Sequence, residues 1–221
     1  MINMDDKFFF SGLQTILYIY RMTNDTGFAP CVDDGLLTLA CCKGGRIRKE
    51  KPERYGIRYW IGSGRDHIDI DRDNVFVIGL YGGKLLYLAR ISSTMKMTKY
   101  YSGISNGRLD DIYSVEDGKD ELKWKGIRGI ADNKIHGNDP KQQKRDEKGE
   151  YVLLSNEYIY LGNKSDNMPD IPLLMEYAPH GQSHAKYMGE VAKKIVLECL
   201  KFRDESDGQP HYPLRKDGSC K

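Results

Sequence analysis

Tyr18-Ile-Tyr-Arg-Met-Thr-Asn-Asp-Thr-Gly-Phe-Ala-Pro-Cys31 starts as a strand and ends as a polar loop, and the fold turns on that change. Ile16, Tyr18 and Tyr20 alternate with Leu17 and Ile19, so residues 15–22 are read as a strand of large, mostly apolar side chains. Thr23-Asn-Asp-Thr-Gly27 then supplies short polar groups that bond their own backbone, and residues 23–35 are read as a loop. A second apolar run begins at Leu36 and reaches Cys42. It is apolar on both faces, which places it inside a sheet rather than at an edge. A buried strand that empties into hydroxyls, an amide and a carboxylate holds polar groups on a rigid support. The plainer reading of the same residues is an Asx-turn between two strands.

The second run ends in Cys41-Cys-Lys-Gly-Gly-Arg-Ile-Arg-Lys49. Two glycines free the backbone for close approach, and Lys43, Arg46, Arg48 and Lys49 surround them with positive charge. Such a turn can hold a phosphate through backbone N–H groups and guanidinium forks. It lacks GxxxxGK[ST], so a triphosphate P-loop is not supported. A solvated basic turn is the structural alternative.

Composition bounds the rest. The 221 residues suit one domain, and 34 basic against 32 acidic residues leave a net charge of +2. A global basic excess of the kind common in DNA-binding domains is therefore missing. Fifteen tyrosines suit a β-rich fold and also base stacking. The cysteines, at 31, 41, 42, 199 and 220, are odd in number and form no CxxC pair. Reduced thiols are expected, with no metal and no cofactor. No segment reaches the roughly 18 apolar residues of a membrane span. The N-terminus lacks the order of a signal peptide, so a cytoplasmic protein is expected.

Along the chain, residues 1–14 read as a lead, 15–203 as one domain and 204–221 as a tail. Residues 50–74 read as a charged surface excursion with His67 exposed. Their aspartates miss the spacing of a calcium loop. Residues 75–91 form a hairpin around Tyr81-Gly-Gly-Lys84. Ser92–Lys99 extends a strand or turns helical near Thr98. Asn138–Gly149 is charged throughout and reads as an exposed linker or hairpin tip. Residues 151–162 give two strands around a polar break, and a helix capped by Ser183 is expected to dock Ile195, Cys199 and Phe202 on the sheet. The fold class is α+β: a mainly antiparallel, curved sheet or partly closed barrel with long loops and a C-terminal docking helix.

Thr23–Pro30, Leu37-Thr-Leu-Ala-Cys-Cys-Lys43 with Ile47-Arg48, Val77–Leu80, Leu86–Ile91, Val152–Gly162 and His180-Gly-Gln-Ser-His184 together resemble the nucleotide modification associated domain, type two, of bacteria and their phages. The likeness spans roughly residues 16 to 185, and the first two blocks carry its specificity. It implies a link to systems that modify DNA bases or contend with them. The chain departs from the pattern at Asn24, where a His is expected, at Cys31, where Asn is common, and in a longer stretch at 49–74.

Three functions follow. In the first, a pocket reads a modified base or nucleotide in DNA. Asp25 and Asn24 bond the base, with Thr23 and Thr26 beside them. Phe28, Trp60 or Trp124 stacks on it, Arg46, Arg48 and Lys49 hold phosphates, and Lys43 and His180 complete the binding set. In the second, an enzyme acts on the base or its glycosidic bond, with Asp25 as base or as stabiliser of an oxocarbenium-like sugar, Asn24 and Thr26 beside it, His180 or His184 as acid and Cys41 or Cys42 as nucleophile. Each cysteine also fits as a small buried hydrophobe. In the third, the chain is a structural subunit of a phage-defence assembly. The expected partner is DNA with modified bases, or a modified nucleotide, and no membrane.

Overall fold

The computed structural model describes residues 10–23, 25, 27–46, 54–116, 119–126, 140–162, 168–181 and 183–205. Strand β1 (Thr15–Met22) runs over the residues its alternation predicts. It is followed by β2 (Cys31–Asp33), β3 (Leu36–Leu39), β4 (Gly45–Arg46), β5 (Arg54–Tyr55) and helix α1 (Ile57–Gly62). The hairpin is β6 (Asn74–Tyr81) and β7 (Lys84–Arg90). Gly82 and Gly83 take φ of 57° and 85° at its tip, a pair of left-handed residues that a tight two-residue hairpin requires. Then come β8 (Ser93–Lys96), α2 (Met97–Lys99) running into a π-helical turn at Tyr100–Ile104, β9 (Tyr113–Val115), β10 (Leu122–Trp124) and α3 (Pro140–Glu147). The chain continues through β11 (Tyr151–Ser155), β12 (Glu157–Tyr160), α4 (Pro172–Tyr177), β13 (His184–Met188) and α5 (Gly189–Leu200).

The strands sort into a five-stranded sheet, ordered β12-β7-β6-β1-β13, and a four-stranded sheet, ordered β2-β3-β11-β8, with β4-β5 and β9-β10 as small ribbons. Every neighbouring pair is antiparallel except β1 and β6. A parallel pair needs a long crossover. Here the crossover carries β2 to β5 and α1, the stretch that builds much of the second sheet and its cover. The fold is α+β as expected. The expected barrel is not formed by the described strands. Tyr151–Ser155 belongs to one sheet and Glu157–Tyr160 to the other, so the polar break at Asn156 switches the chain between layers instead of continuing one curved surface.

β1 is buried on both faces, and its alternation feeds two cores. Leu17 and Ile19 join Phe76, Ile78, Leu88, Ala192, Ile195 and Val196 beneath α5. Ile16, Tyr18, Tyr20 and Met22 face the other way, into a core shared with Leu39, Ile57, Leu153 and Tyr160. The docking helix is therefore as expected, but its start is not. Residues 184–188 pair with β1 from Tyr20↔His184 to Ile16↔Met188, so Ser183 precedes a strand and caps no helix. Gly189, at φ 64°, makes the turn into α5.

Two further expectations are corrected. Within residues 50–74, α1 buries Ile57, Arg58 and Ile61 against the second sheet. Its single turn and a half is too short to display a helical period. Residues 140–147 form a helix whose Asp146 is fully buried, where an exposed linker was expected. His67 is exposed, and Leu36–Leu39 is an interior strand, both as read. Cys31, Cys41 and Cys199 are free thiols, and no helix among the described residues is long and apolar enough to cross a membrane.

Candidate functional site

The end of β1 gathers the chemistry. Tyr20 is buried on the inner face and its hydroxyl lies 2.8 Å from that of Tyr87, two strands away on β7 across β6. The polar loop after β1 returns Asp25 to the same place. Its Oδ2 accepts a hydrogen bond of 2.6 Å from Tyr160 Oη on β12, and its Oδ1 accepts one of 3.4 Å from the Gly27 amide. The second bond is the Asx-turn that the residue types indicate. The first ties the turn to a strand 135 residues away. Asp25 is 1 % exposed, so its carboxylate is a sheltered acceptor and not a solvated surface charge.

Lys43 reaches this cluster from the other sheet. β3 stops at Leu39, and Cys42 and Lys43 both take left-handed φ, 58° and 49°. Two consecutive non-glycine residues in this region cost roughly 1–2 kcal/mol each and persist only where their surroundings hold them. The surroundings here are specific. Asp146 Oδ1 accepts the Cys42 amide at 2.7 Å, and Asp146 Oδ2 accepts Tyr113 Oη at 2.9 Å. Arg58, fully buried, donates to the carbonyls of Ala40 and Asp146 and, at 3.0 Å, to that of Tyr151. The Gly56 amide donates to Gly44 O at 2.9 Å. So clamped, the turn aims Lys43 Nζ over the Tyr20 ring, 4.3 Å from its centroid, and onto Arg21 O at 3.2 Å.

His184 enters from the outer strand, paired with Tyr20 across the ladder and with its ring 6.0 Å from that of Tyr18. Burial, with Lys43 adding to it, holds the imidazole below its ordinary range, which keeps it neutral at pH 7. The Cys41 thiol is pushed well above its usual range by its contact with the Cys42 sulfur and by burial. Its Sγ donates to Phe28 O at 3.4 Å. Burial drives Tyr20 and Tyr87 upward as well, so both phenols stay protonated.

The cluster has two layers. Asp25, Tyr20, Tyr87 and Tyr160 are buried, and Cys42, Lys43 and His184 are half-buried beside them. Asp25, Cys41, Lys43 and His184 are thus brought together as candidate residues from three separate stretches. Thr23 is exposed at the end of β1. Phe28 is fully buried in the core, and His180 is exposed on the turn before β13. Trp124 lies apart, packed edge-to-face on Tyr113 at 5.7 Å as a plug on the core. Asn24, Thr26 and Arg48 lie outside the described residues, as does the side chain of Arg46. Sequence reasoning missed Tyr20, Tyr87 and Tyr160. Their signal was available: a tyrosine on a buried strand face needs a partner for its hydroxyl.

A second buried network sits under β2 and β3. Asp110 accepts Thr38 Oγ1 at 2.6 Å and Tyr100 Oη at 2.9 Å, with Arg108 Nε 3.4 Å away. Arg108 also donates to the carbonyls of Asp33 and Leu36. These partners close a structural clamp that fixes the hairpin leading to Cys41.

The family model described as nucleotide modification associated domain 2 matches residues 14–213. The match spans nearly the whole chain, and the chain belongs to that family. Neither the curated proteins nor the solved structures contain a significant match.

Proposed function

We propose that this nucleotide modification associated domain 2 protein recognises a modified base or nucleotide at the end of β1 without breaking a covalent bond. The observation that carries the reading is the convergence of Asp25, Tyr160, Lys43 and His184 on the Tyr20–Tyr87 pair. A base edge presents donors and acceptors side by side. The Asp25 carboxylate accepts, the neutral His184 ring both donates and accepts, and Lys43 supplies a point charge for a phosphate. Thr23 and His180 flank this set in the sequence and are further contacts in this reading.

Two properties favour recognition over catalysis. A nucleophilic cysteine works as thiolate, and Cys41 is buried, hydrogen-bonded and held protonated. A general acid must carry its proton at working pH, and His184 is shifted toward losing it. The second reading, an enzyme acting on the modified base or its glycosidic bond with Asp25 as base, loses Cys41 and His184 from its proposed partners.

Incubation of the protein with phage DNA carrying modified bases, and with plain DNA, separates the readings. Retention and mass spectrometry of the released molecules and digested nucleosides are followed together. Recognition gives selective retention of the modified DNA and unchanged nucleosides. A released base or sugar, or a new nucleoside, makes the protein an enzyme. No retention and no product overturns both.

A further inference from the structure

Beside the Lys43 turn lies a surface that the site at the end of β1 does not use. Tyr55 and Tyr59 stack face to face, with centroids 3.9 Å apart and planes 16° from parallel. Tyr151 meets Tyr59 edge-on at 6.4 Å, and Trp60 is held by a 3.2 Å bond from its indole N–H to Tyr55 O. All four rings are half-buried. Cations cover them: Arg65 lies 5.5, 5.1 and 5.9 Å from the Tyr55, Tyr59 and Trp60 rings. Lys148 lies 5.0 Å from Tyr55, and Lys96 4.2 Å from Tyr151. Lys96 also pairs with Glu150 at 2.7 Å, so Arg65, which lies over three of the rings, carries most of the argument.

We propose that this aromatic and cationic strip binds single-stranded nucleic acid and leads it toward the Lys43 turn. Rings interleaved with cations are what a sequence-independent strand platform needs, because every base has a face to stack and every nucleotide a phosphate. The exchange is balanced. A base that slides onto Tyr55, Tyr59 or Trp60 displaces a cation from a ring face, and that cation moves to the neighbouring phosphate. The strip is continuous with the candidate site through the Gly56–Gly44 bond, and a Cβ at Gly56 would run into the Lys43 carbonyl. The proposal deepens the reading of the site, since it makes the ligand a strand and not a free nucleotide, but its test stands alone.

The probe is a fluorescein-labelled oligothymidine of about twelve nucleotides, with an oligouridine of equal length beside it, followed by anisotropy at low salt. The full chain binds, and the affinity falls steeply as salt rises. Arg65→Glu, at an exposed position, weakens binding at least about tenfold, and Tyr59→Ala about five- to tenfold. Val191→Ala, at an exposed position on α5 outside both sites, leaves the strand bound as before, and because the probe carries no modified base, loss of the strip and loss of the modified-base site are told apart. A preference for thymidine over uridine reports the 5-methyl group and the 2′-hydroxyl together, and binding of either strand supports the proposal. If the protein does not bind either oligonucleotide, or if Arg65→Glu and Tyr59→Ala bind as well as the parent, the strip is a cation–ring staple between α1 and the end of α3 and the proposal fails.

Discussion

On one face of β1, Leu17 and Ile19 meet Ala192, Ile195 and Val196 of α5 in a layer of hydrocarbon. On the other, Tyr18 and Tyr20 look toward a layer that buries Asp25, Arg58, Asp110 and Asp146. The same strand supplies both. The apolar layer is held by area removed from water, a non-directional force that tolerates exchange of similar side chains. The polar layer is held by groups that each need a named partner, and removing one leaves the other unsatisfied in a dry place. That demand gives the second layer its fixed geometry. Fixed geometry is what keeps Cys42 and Lys43 left-handed and delivers Lys43 to Tyr20.

The contrast is open to breaking. The largest effect is expected at Arg58. Arg58→Met keeps much of the volume but strands the carbonyls of Ala40, Tyr151 and Asp146, and should cost about 3–5 kcal/mol in denaturant unfolding. A cost under about 1 kcal/mol would mean that the polar layer is not directional. Ile195→Ala, in the apolar layer and 1 % exposed, should cost about 2–4 kcal/mol by leaving a cavity. It should leave ligand binding unchanged, and a loss of binding would join the two layers that the account separates.

A smaller, pH-dependent effect belongs to His184. Its folded-state pKa lies below the unfolded value of about 6.5, so the unfolded chain takes up the proton first as pH falls. The contribution of the neutral imidazole to stability is therefore complete above pH 6.5 and declines as pH drops through that value toward the folded pKa. Urea midpoints between pH 7.5 and 5.5 should fall for the parent and fall less for His184→Gln. Equal slopes would remove His184 from the buried side of the site.

The apolar layer was nearly all legible in the sequence. Residues 15–22 and the 75–91 hairpin were read correctly because alternation and the Gly82-Gly83 turn are local signals. So was the docking of Ile195 and Cys199. Its one misreading, a helix begun at Ser183, arose because pairing with β1 overrides local preference over residues 184–188. The polar layer was legible only where residue types announce themselves. Asp25, Cys41, Lys43 and His184 were singled out, and they do share one place. Arg58 and Asp146 were not, because a charged residue in a charged stretch reads as surface until its partners are known. Tyr20, Tyr87 and Tyr160 look like β-formers, and only the fold shows that the hydroxyls of Tyr20 and Tyr87 meet each other and that of Tyr160 meets Asp25.

The most direct test of the account compares the parent with Asp25→Asn and Lys43→Met in one equilibrium titration against modified-base DNA, with thermal unfolding measured on the same samples. Asn at 25 keeps an oxygen for Tyr160 and replaces the carboxyl group with an amide. Met at 43 keeps the stem over Tyr20 and removes the ammonium. The account predicts that both variants unfold close to the parent temperature and lose the preference for modified over plain DNA, each by about tenfold or more. Variants that melt early but bind normally would reduce Asp25 to its Asx-turn and Lys43 to a packing residue, and would contradict a recognition site at the end of β1.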